Sequence, residues 1–226
     1  MTNTEVFLQQ MIIGLSNGMI IALIALGYTM VYGIIELINF AHGDLFMLGC
    51  FLALTILGAL GIELGNDPSG VSWAVLPLFI AVPAFCAFVN WSVDRLAYRP
   101  LRSAPRLAPL VSAIGVSFIF VNLGLFWGGL PMDVFSNGVA AAAPKDFPAL
   151  VSSTNLLGEA SNIIVTWNEL LVAMVTIPMM VGLSLLVKFT RLGKAMRAVA
   201  QNQTAARVLG IDVDRVIGST FLIGGA

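Results

Sequence analysis

Apolar residues in this chain come in long unbroken runs, not in alternating pairs or narrow stripes. Five runs are long enough to cross a membrane: Met11 to Tyr32, a stretch within Leu37 to Ile62, Val71 to Val93, Leu107 to Leu130, and Glu169 to Phe189. A helix needs about 20 such residues to traverse a hydrocarbon core roughly 30 Å thick. A sixth run begins at Val216 and reaches Ala226, about half a crossing at the helical rise. Continuous apolarity favours helices over an outer-membrane barrel, whose strands alternate. The pattern predicts an all-α, polytopic transmembrane helical bundle with five full spans and the start of a sixth, forming one membrane domain over residues 1–226. A helix that stops in mid-bilayer leaves backbone groups without partners, so the chain is expected to be incomplete at its C-terminus.

Composition narrows the class. Of 226 residues, 58% are apolar and 10% are charged, against roughly 25% charged in a soluble domain. A soluble domain of this size cannot hide so much apolar surface. The net charge of −1 provides no basic field for a nucleic acid. Cys50 and Cys86 lie in apolar runs, and the single histidine leaves no metal-ligand spacing. Residues 1–10 carry no Lys or Arg, unlike the start of a cleaved signal peptide, so the first run is expected to remain as a span.

The eleven Lys and Arg residues set an orientation. Arg95, Arg99, Arg102 and Arg106 follow span three. Lys188, Arg191, Lys194, Arg197, Arg207 and Arg215 follow span five, and Lys145 alone lies elsewhere. Cytoplasmic loops carry such an excess. Both clusters are therefore expected to face the cytoplasm. The loop at residues 131–168, the turn Gly65–Gly70 and the amino terminus are then outside, in the periplasm. In the long loop, Ala140–Pro144 and Ser152–Asn155 read as irregular surface structure.

Polar residues in apolar places are the candidate functional groups. Asn39, His42 and Asp44 interrupt the second run, with Glu36 just before them. Ionisable groups in a bilayer are costly and usually mark a path, a relay or a pairing. Two layouts fit: an interfacial turn in which Asn39 or Asp44 caps a helix, or a re-entrant segment that brings these groups to a solute path. A catalytic His42 is a third reading. Gly14-x-x-x-Gly18 and Gly124-x-x-x-Gly128 offer small faces for close helix approach, and Pro77, Pro83 and Pro178 offer kinks. Asn17, Thr29 and Asn122 are milder polar points, expected to hydrogen-bond neighbouring helices.

Residues 190–215 form the expected cytoplasmic coupling segment. Lys194 to Leu209 suits a short helix, with Gly210 as its stop. Ala195, Met196, Val199, Val208 and Leu209 are its apolar members, and Gln201 to Thr204 a polar patch. A membrane-surface helix and a docking helix for a cytoplasmic partner both fit.

Thr204-Ala205-Ala206-x-x-x-Gly210 is similar to the Glu-Ala-Ala-x-x-x-Gly coupling signature of ABC importer permeases, with Thr204 in place of the Glu and without the later Leu-Pro. The stretch Ala22 to Asp44, ending Asn39-Phe40-Ala41-His42-Gly43-Asp44, resembles branched-chain amino acid ABC transporter permeases of the LivH type. So do Ala97 to Arg102, Ala113-Ile114-Gly115 and Ala205 to Asp212. The resemblance runs from about Gln10 onward, apart from the outer loop. It implies an importer subunit for branched-chain or other small hydrophobic amino acids, in the bacterial inner membrane. A second permease, expected to be a different chain, two cytoplasmic ATPase subunits and a periplasmic binding protein complete that assembly. The chain has no Gly-x-x-x-x-Gly-Lys-[Ser/Thr] phosphate loop, so ATP is expected at the partner subunits and no cofactor on this chain. Substrate-path candidates are Asn39, His42 and Asp44. ATPase-coupling candidates are Met196, Val199, Thr204, Ala205, Ala206, Val208, Leu209 and Gly210. Related importers take urea or short amides, which is the alternative substrate class. An intramembrane enzyme lacks a convergent constellation, since His42 and Asp44 fall on different helix faces. A passive channel would need no ATPase.

Overall fold

The computed structural model describes residues 3–35, 38–62, 73–102, 104–105, 107–139, 141–152, 154–156, 158 and 163–226. Glu36, Arg106, the turn Gly65–Gly70 and parts of the 131–168 loop lie outside the described residues. The chain is all-α. Five long apolar helices match the five runs: α1 (Asn3–Ile35), α2 (Ala41–Ala59), α3 (Val75–Val93), α4 (Leu107–Gly128) and α5 (Trp167–Phe189). Three shorter ones follow: α6 (Arg191–Gln201), α7 (Gln203–Val208) and α8 (Val213–Gly225). α3 does not end at Val93. It continues through a π-helical turn, Asp94–Tyr98, and a 3-10 turn, Arg99–Leu101.

α1 is longer than its apolar run. Its 33 residues span about 50 Å, so it overhangs the hydrocarbon. Nothing breaks the early turns, and Glu5 in the first turn complements the helix dipole. Beyond the lipid, Gln9 holds the backbone of Ile164: its amide donates to the Ile164 carbonyl at 3.1 Å and accepts from the Ile164 N–H at 2.8 Å. The start of α1 therefore lies beside the segment that leads into α5. That segment closes with a capping box, in which Glu169 accepts from the Thr166 N–H at 2.8 Å.

At this same end, Val134 and Phe135 of the 3-10 turn Asp133–Gly138 are buried against Leu54 of α2. Phe135 meets Phe51 edge to face at 5.8 Å, and Lys145, the isolated base, donates to the Phe135 carbonyl at 3.3 Å. The 3-10 turn Asp133–Gly138 is thus a packed cap, while the described residues of Ala140–Pro144 and Ser152–Asn155 are irregular, as expected. No strand forms among the described residues.

The main core sits toward the opposite, basic end. Val31 and Ile34 of α1, Leu45 and Leu48 of α2, Met196 and Val199 of α6, and Ile217 and Phe221 of α8 meet there. The half-length α8 is enclosed, wedged between α1 and α3. Its end touches α1 so closely that a Cβ added to Gly27 would lie 2.7 Å from the Gly224 carbonyl. On its other side, Asn90 of α3 donates to the Phe221 carbonyl at 2.6 Å, satisfying a buried amide that lipid could not.

The structure corrects several expectations. Gly124 and Gly128 do pack closely, against Met47, Phe51 and Ala141, but Gly14 and Gly18 face open space. The close glycine pair is Gly27 with Gly224. Pro77 falls in the first turn of α3, where its missing N–H is harmless, leaving Pro83 and Pro178 as the interior prolines of α3 and α5. Asn122 and Thr29 do not reach a neighbouring helix by their hydrogen bonds; they donate to carbonyls of their own helices, at Phe118 and Leu26. Lys194 to Leu209 is two helices, because Asn202 adopts extended angles (φ −161°, ψ 107°) and its side chain caps α7 by accepting from Ala205 N–H at 2.9 Å. Asparagine favours that cap over a helix interior.

The corner between α5 and α6 is tight. Thr190 accepts from Gly193 N–H at 3.0 Å and donates to the Leu186 carbonyl at 2.6 Å. A Cβ on Gly193 would lie 2.2 Å from the Val187 carbonyl. Gly193→Ala is therefore expected to cost about 1–3 kcal/mol, read as a lower thermal midpoint of the detergent-purified chain. Gly182→Ala on α5, where nothing lies within 4 Å, is expected to leave the midpoint unchanged.

Candidate functional site

The polar interruption in the second run opens with a turn ahead of α2. Ile38 to Phe40 forms it, and Asn39 is buried there. Its Oδ1 accepts from Ala41 N–H at 3.2 Å and from the Tyr98 hydroxyl at 2.9 Å. Asn39 is not the N-cap of α2, which is Phe40, but from one residue earlier it satisfies the first helical amide and joins α2 to the π-helical turn after α3. Tyr98 is buried in turn, its ring 5.5 Å from that of Phe221 on α8.

His42, in the first turn of α2, points at α1. It is buried against Ile24, Gly27 and Tyr28, with its ring 6.1 Å from the tyrosine ring. Its Nδ1 has no hydrogen-bond partner among the described residues. Asp44 points a third way and accepts from the hydroxyl of Ser117 on α4. One turn of helix therefore sends three polar groups to three neighbours, because successive helical residues are about 100° apart. Asn39, His42 and Asp44 share a region but not a common cavity.

An apolar groove lies elsewhere. A groove of about 610 Å³ runs between α1, α5 and α6, walled by residues such as Met30, Ile34, Leu183 and Val187, with Lys188 and Arg197 at its basic end. α5 has only Thr176 buried, so this face of the chain is open. Among the described residues, no group of three His, Cys, Asp or Glu is placed to hold a metal ion.

The basic end carries the second candidate region. The eight coupling candidates divide by direction. Met196, Val199 and Ala206 are buried and fasten α6 and α7 to the bundle. Thr204, Ala205, Val208, Leu209 and Gly210 are exposed, with Val208 and Leu209 at 84% and 78%. Gly210, with φ +80°, ends α7 and turns the chain toward α8. α7 is not among the five membrane-length helices, and Val208 and Leu209 form an exposed apolar pair at its end.

Sequence reasoning missed the partners. Asn90, Asp94, Tyr98, Arg102, Ser117 and Asp214 all make interhelical contacts. Asn90 interrupts an apolar run just as Asn39 does, and that signal was available. For Tyr98 and Ser117, only the packing reveals the role.

Comparison with known proteins finds relatives along nearly the whole chain. The family model described as branched-chain amino acid transport system / permease component matches residues 10–226. The chain is 38% identical over 225 residues to the high-affinity branched-chain amino acid transport system permease protein BraD of Pseudomonas aeruginosa, covering 97% of this chain and 67% of that one. It is 39% identical over 223 residues to LivH of Salmonella typhimurium, with the same coverage. A more distant relative is the probable branched-chain amino acid transport permease protein LivH of Methanocaldococcus jannaschii, 27% identical over 209 residues. No solved structure matches.

The bond between Tyr98 and Asn39 is open to a direct check. Tyr98→Phe removes one interhelical hydrogen bond and is expected to destabilise the chain by about 0.5–1.5 kcal/mol. Asn39→Leu in the Tyr98→Phe background is expected to cost less than Asn39→Leu alone, measured by denaturation in mixed micelles.

Proposed function

The chain belongs to the branched-chain amino acid transport permease family, and from that premise we propose that it forms half of the translocation pathway of an ATP-driven importer. Its basic end faces the cytoplasm, and its amino terminus and capped outer loop face the periplasm. The confinement of Lys and Arg clusters to one end supports this orientation. A second permease chain, two ATPase subunits and a periplasmic binding protein complete the assembly, and branched-chain amino acids are the cargo.

One observation carries the coupling part of this reading: the exposed apolar face of α7, formed by Thr204, Ala205, Val208 and Leu209, held rigid from behind by buried Ala206 and by Met196 and Val199 of α6. An apolar face left uncovered by the bundle, on a segment too short to span, suits a protein partner. ATP binding by that partner would move α6 and α7 as one piece, since their inner faces are locked to α1 and α8. Transport then requires two global states, each with its own contacts to nucleotide-bound and nucleotide-free ATPase.

Asn39, His42 and Asp44 take part by exchange of partners. Each ties α2 to a different element, so any opening between α1, α2 and α4 must release at least one of them. A polar group released from its partner inside the bundle needs a new one, which a zwitterionic amino acid or its water supplies.

Two measurements test this. Cysteines at Ala205 or Val208 are expected to cross-link to the ATPase subunit in the intact complex, and Val208→Asp to abolish co-purification. A complex that retains its ATPase subunits through Val208→Asp and yields no adduct at either cysteine counts against the docking face. Leucine uptake by fully assembled His42→Ala and Asp44→Asn complexes is expected to fall several-fold; unchanged uptake would restrict these residues to helix packing.

A further inference from the structure

We propose that Arg102 is a positioning residue that links the α7–α8 segment to the inner end of α3, gripping one carboxylate from each with the two arms of a single guanidinium. This rests on the reading that α7 meets an ATPase subunit.

The grip is specific in its geometry. Arg102 follows the 3-10 turn after α3. Its Nη2 donates to Asp94 Oδ1 at 2.5 Å, and its Nη1 donates to Asp214 Oδ1. The Arg102 side chain is 12% exposed and that of Asp94 is 4% exposed. Without the cation, the buried Asp94 carboxylate would face the half-exposed Asp214 carboxylate of another helix with no compensating charge between them. A guanidinium engages both at once because its donors are splayed in a rigid plane, whereas an ammonium is a single point charge. Arg99 makes an instructive contrast. It reaches Asp214 at 3.5 Å from a side chain 46% exposed, and such solvated pairs contribute little.

Each carboxylate sits at a strategic point. Asp214 is in the first turn of α8, four residues after Gly210 ends the α7 segment. Asp94 is the first residue of the π-helical turn. Such turns carry an inserted residue, occur often at functional sites, and offer a place where helical register can change. The same turn holds Tyr98, bonded to Asn39 at the start of α2. A run of contacts therefore leads from Asp214, at the start of α8, through Arg102 to Asp94 and the π-helical turn, whose Tyr98 is bonded to Asn39. Farther along α8, the bond from Asn90 to the Phe221 carbonyl fixes a pivot. Displacing the α7 end of α8 then pulls on the π-helical turn through Arg102 as well as on α3, against which α8 packs.

A merely stabilising ion pair predicts loss of protein; a link predicts loss of coupling. The test uses the complete transporter in proteoliposomes, with radiolabelled leucine as the probe and ATP hydrolysis read from the same vesicles. Arg102→Lys keeps the charge and loses the fork. Uptake per ATP is expected to fall roughly tenfold, with hydrolysis within about twofold of wild type. Asp214→Asn, at the more exposed carboxylate, is expected to shift the ratio in the same direction, and Arg99→Lys to leave it unchanged. An unchanged ratio in Arg102→Lys overturns the proposal. So does a loss of both activities in proportion to assembled complex in Arg102→Lys and Asp214→Asn, and so does an Arg99→Lys defect equal to that of Arg102→Lys. Wild-type vesicles that assemble without leucine-dependent hydrolysis overturn the importer reading itself, and the link with it, before any variant is compared.

Discussion

Hydrocarbon provides no hydrogen-bond partner, so each polar group carried into it must find one within the protein. That constraint organises this chain. The backbone meets it by forming helices. Thr29, Ser92 and Asn122 meet it by donating to carbonyls of their own helices. Asn39, Asn90 and Asp44 meet it by reaching across to another element. The second solution does more than satisfy a group, because it also fixes which helices are neighbours. Where apolar surfaces are lined by lipid on one side and protein on the other, hydrophobicity alone gives little preference between them.

The two ends of the bundle differ in how they are held. At the outer end, aromatic packing around Phe135, Phe51 and Trp127 and the Gln9 clamp on Ile164 join loops to helices. Trp127 adds a polar tie, donating to the Thr55 hydroxyl at 2.8 Å. At the basic end, charge does more of the holding. Arg102 binds two aspartates, and Arg197 donates to the Val187 and Lys188 carbonyls at the end of α5. Those carbonyls are the orphan acceptors of a helix terminus, and a cation there is favoured by the helix dipole as well. Basic residues that set the orientation in the membrane thus also build the inner end.

α6 and α7 show how a short surface segment is made rigid enough to transmit force. Gly193 lets α6 fold back against the end of α5, Asn202 restarts the helix, and Gly210 ends it. Three buried residues, Met196, Val199 and Ala206, anchor the unit. The residues left outward, Thr204, Ala205, Val208 and Leu209, form a small apolar face on a stiff base. The apolar positions of α6 and α7 were legible in the sequence, but which of them face inward was not, because Val208 and Leu209 are as apolar as Met196 and Val199. The break at Asn202 was not legible either, because Ala-rich flanks favour helix and only the cap geometry reveals the interruption.

Span number, helical class and the segregation of positive charge could be read from the chain itself, because length, apolarity and Lys/Arg position act locally and need no knowledge of neighbours. The polar positions Asn39, His42 and Asp44 were equally visible, since each stands out against its apolar surroundings. Their partners were not. Tyr98 is 59 residues from Asn39, Ser117 is 73 from Asp44, and Asp214 is 112 from Arg102. Pairings over such distances depend on how helices are arranged around one another, and five similarly apolar helices carry almost no label that says which should touch. Only the tertiary structure enclosed α8 between α1 and α3, divided the coupling residues into anchors and an outward face, and brought Asp94, Arg102 and Asp214 to one point.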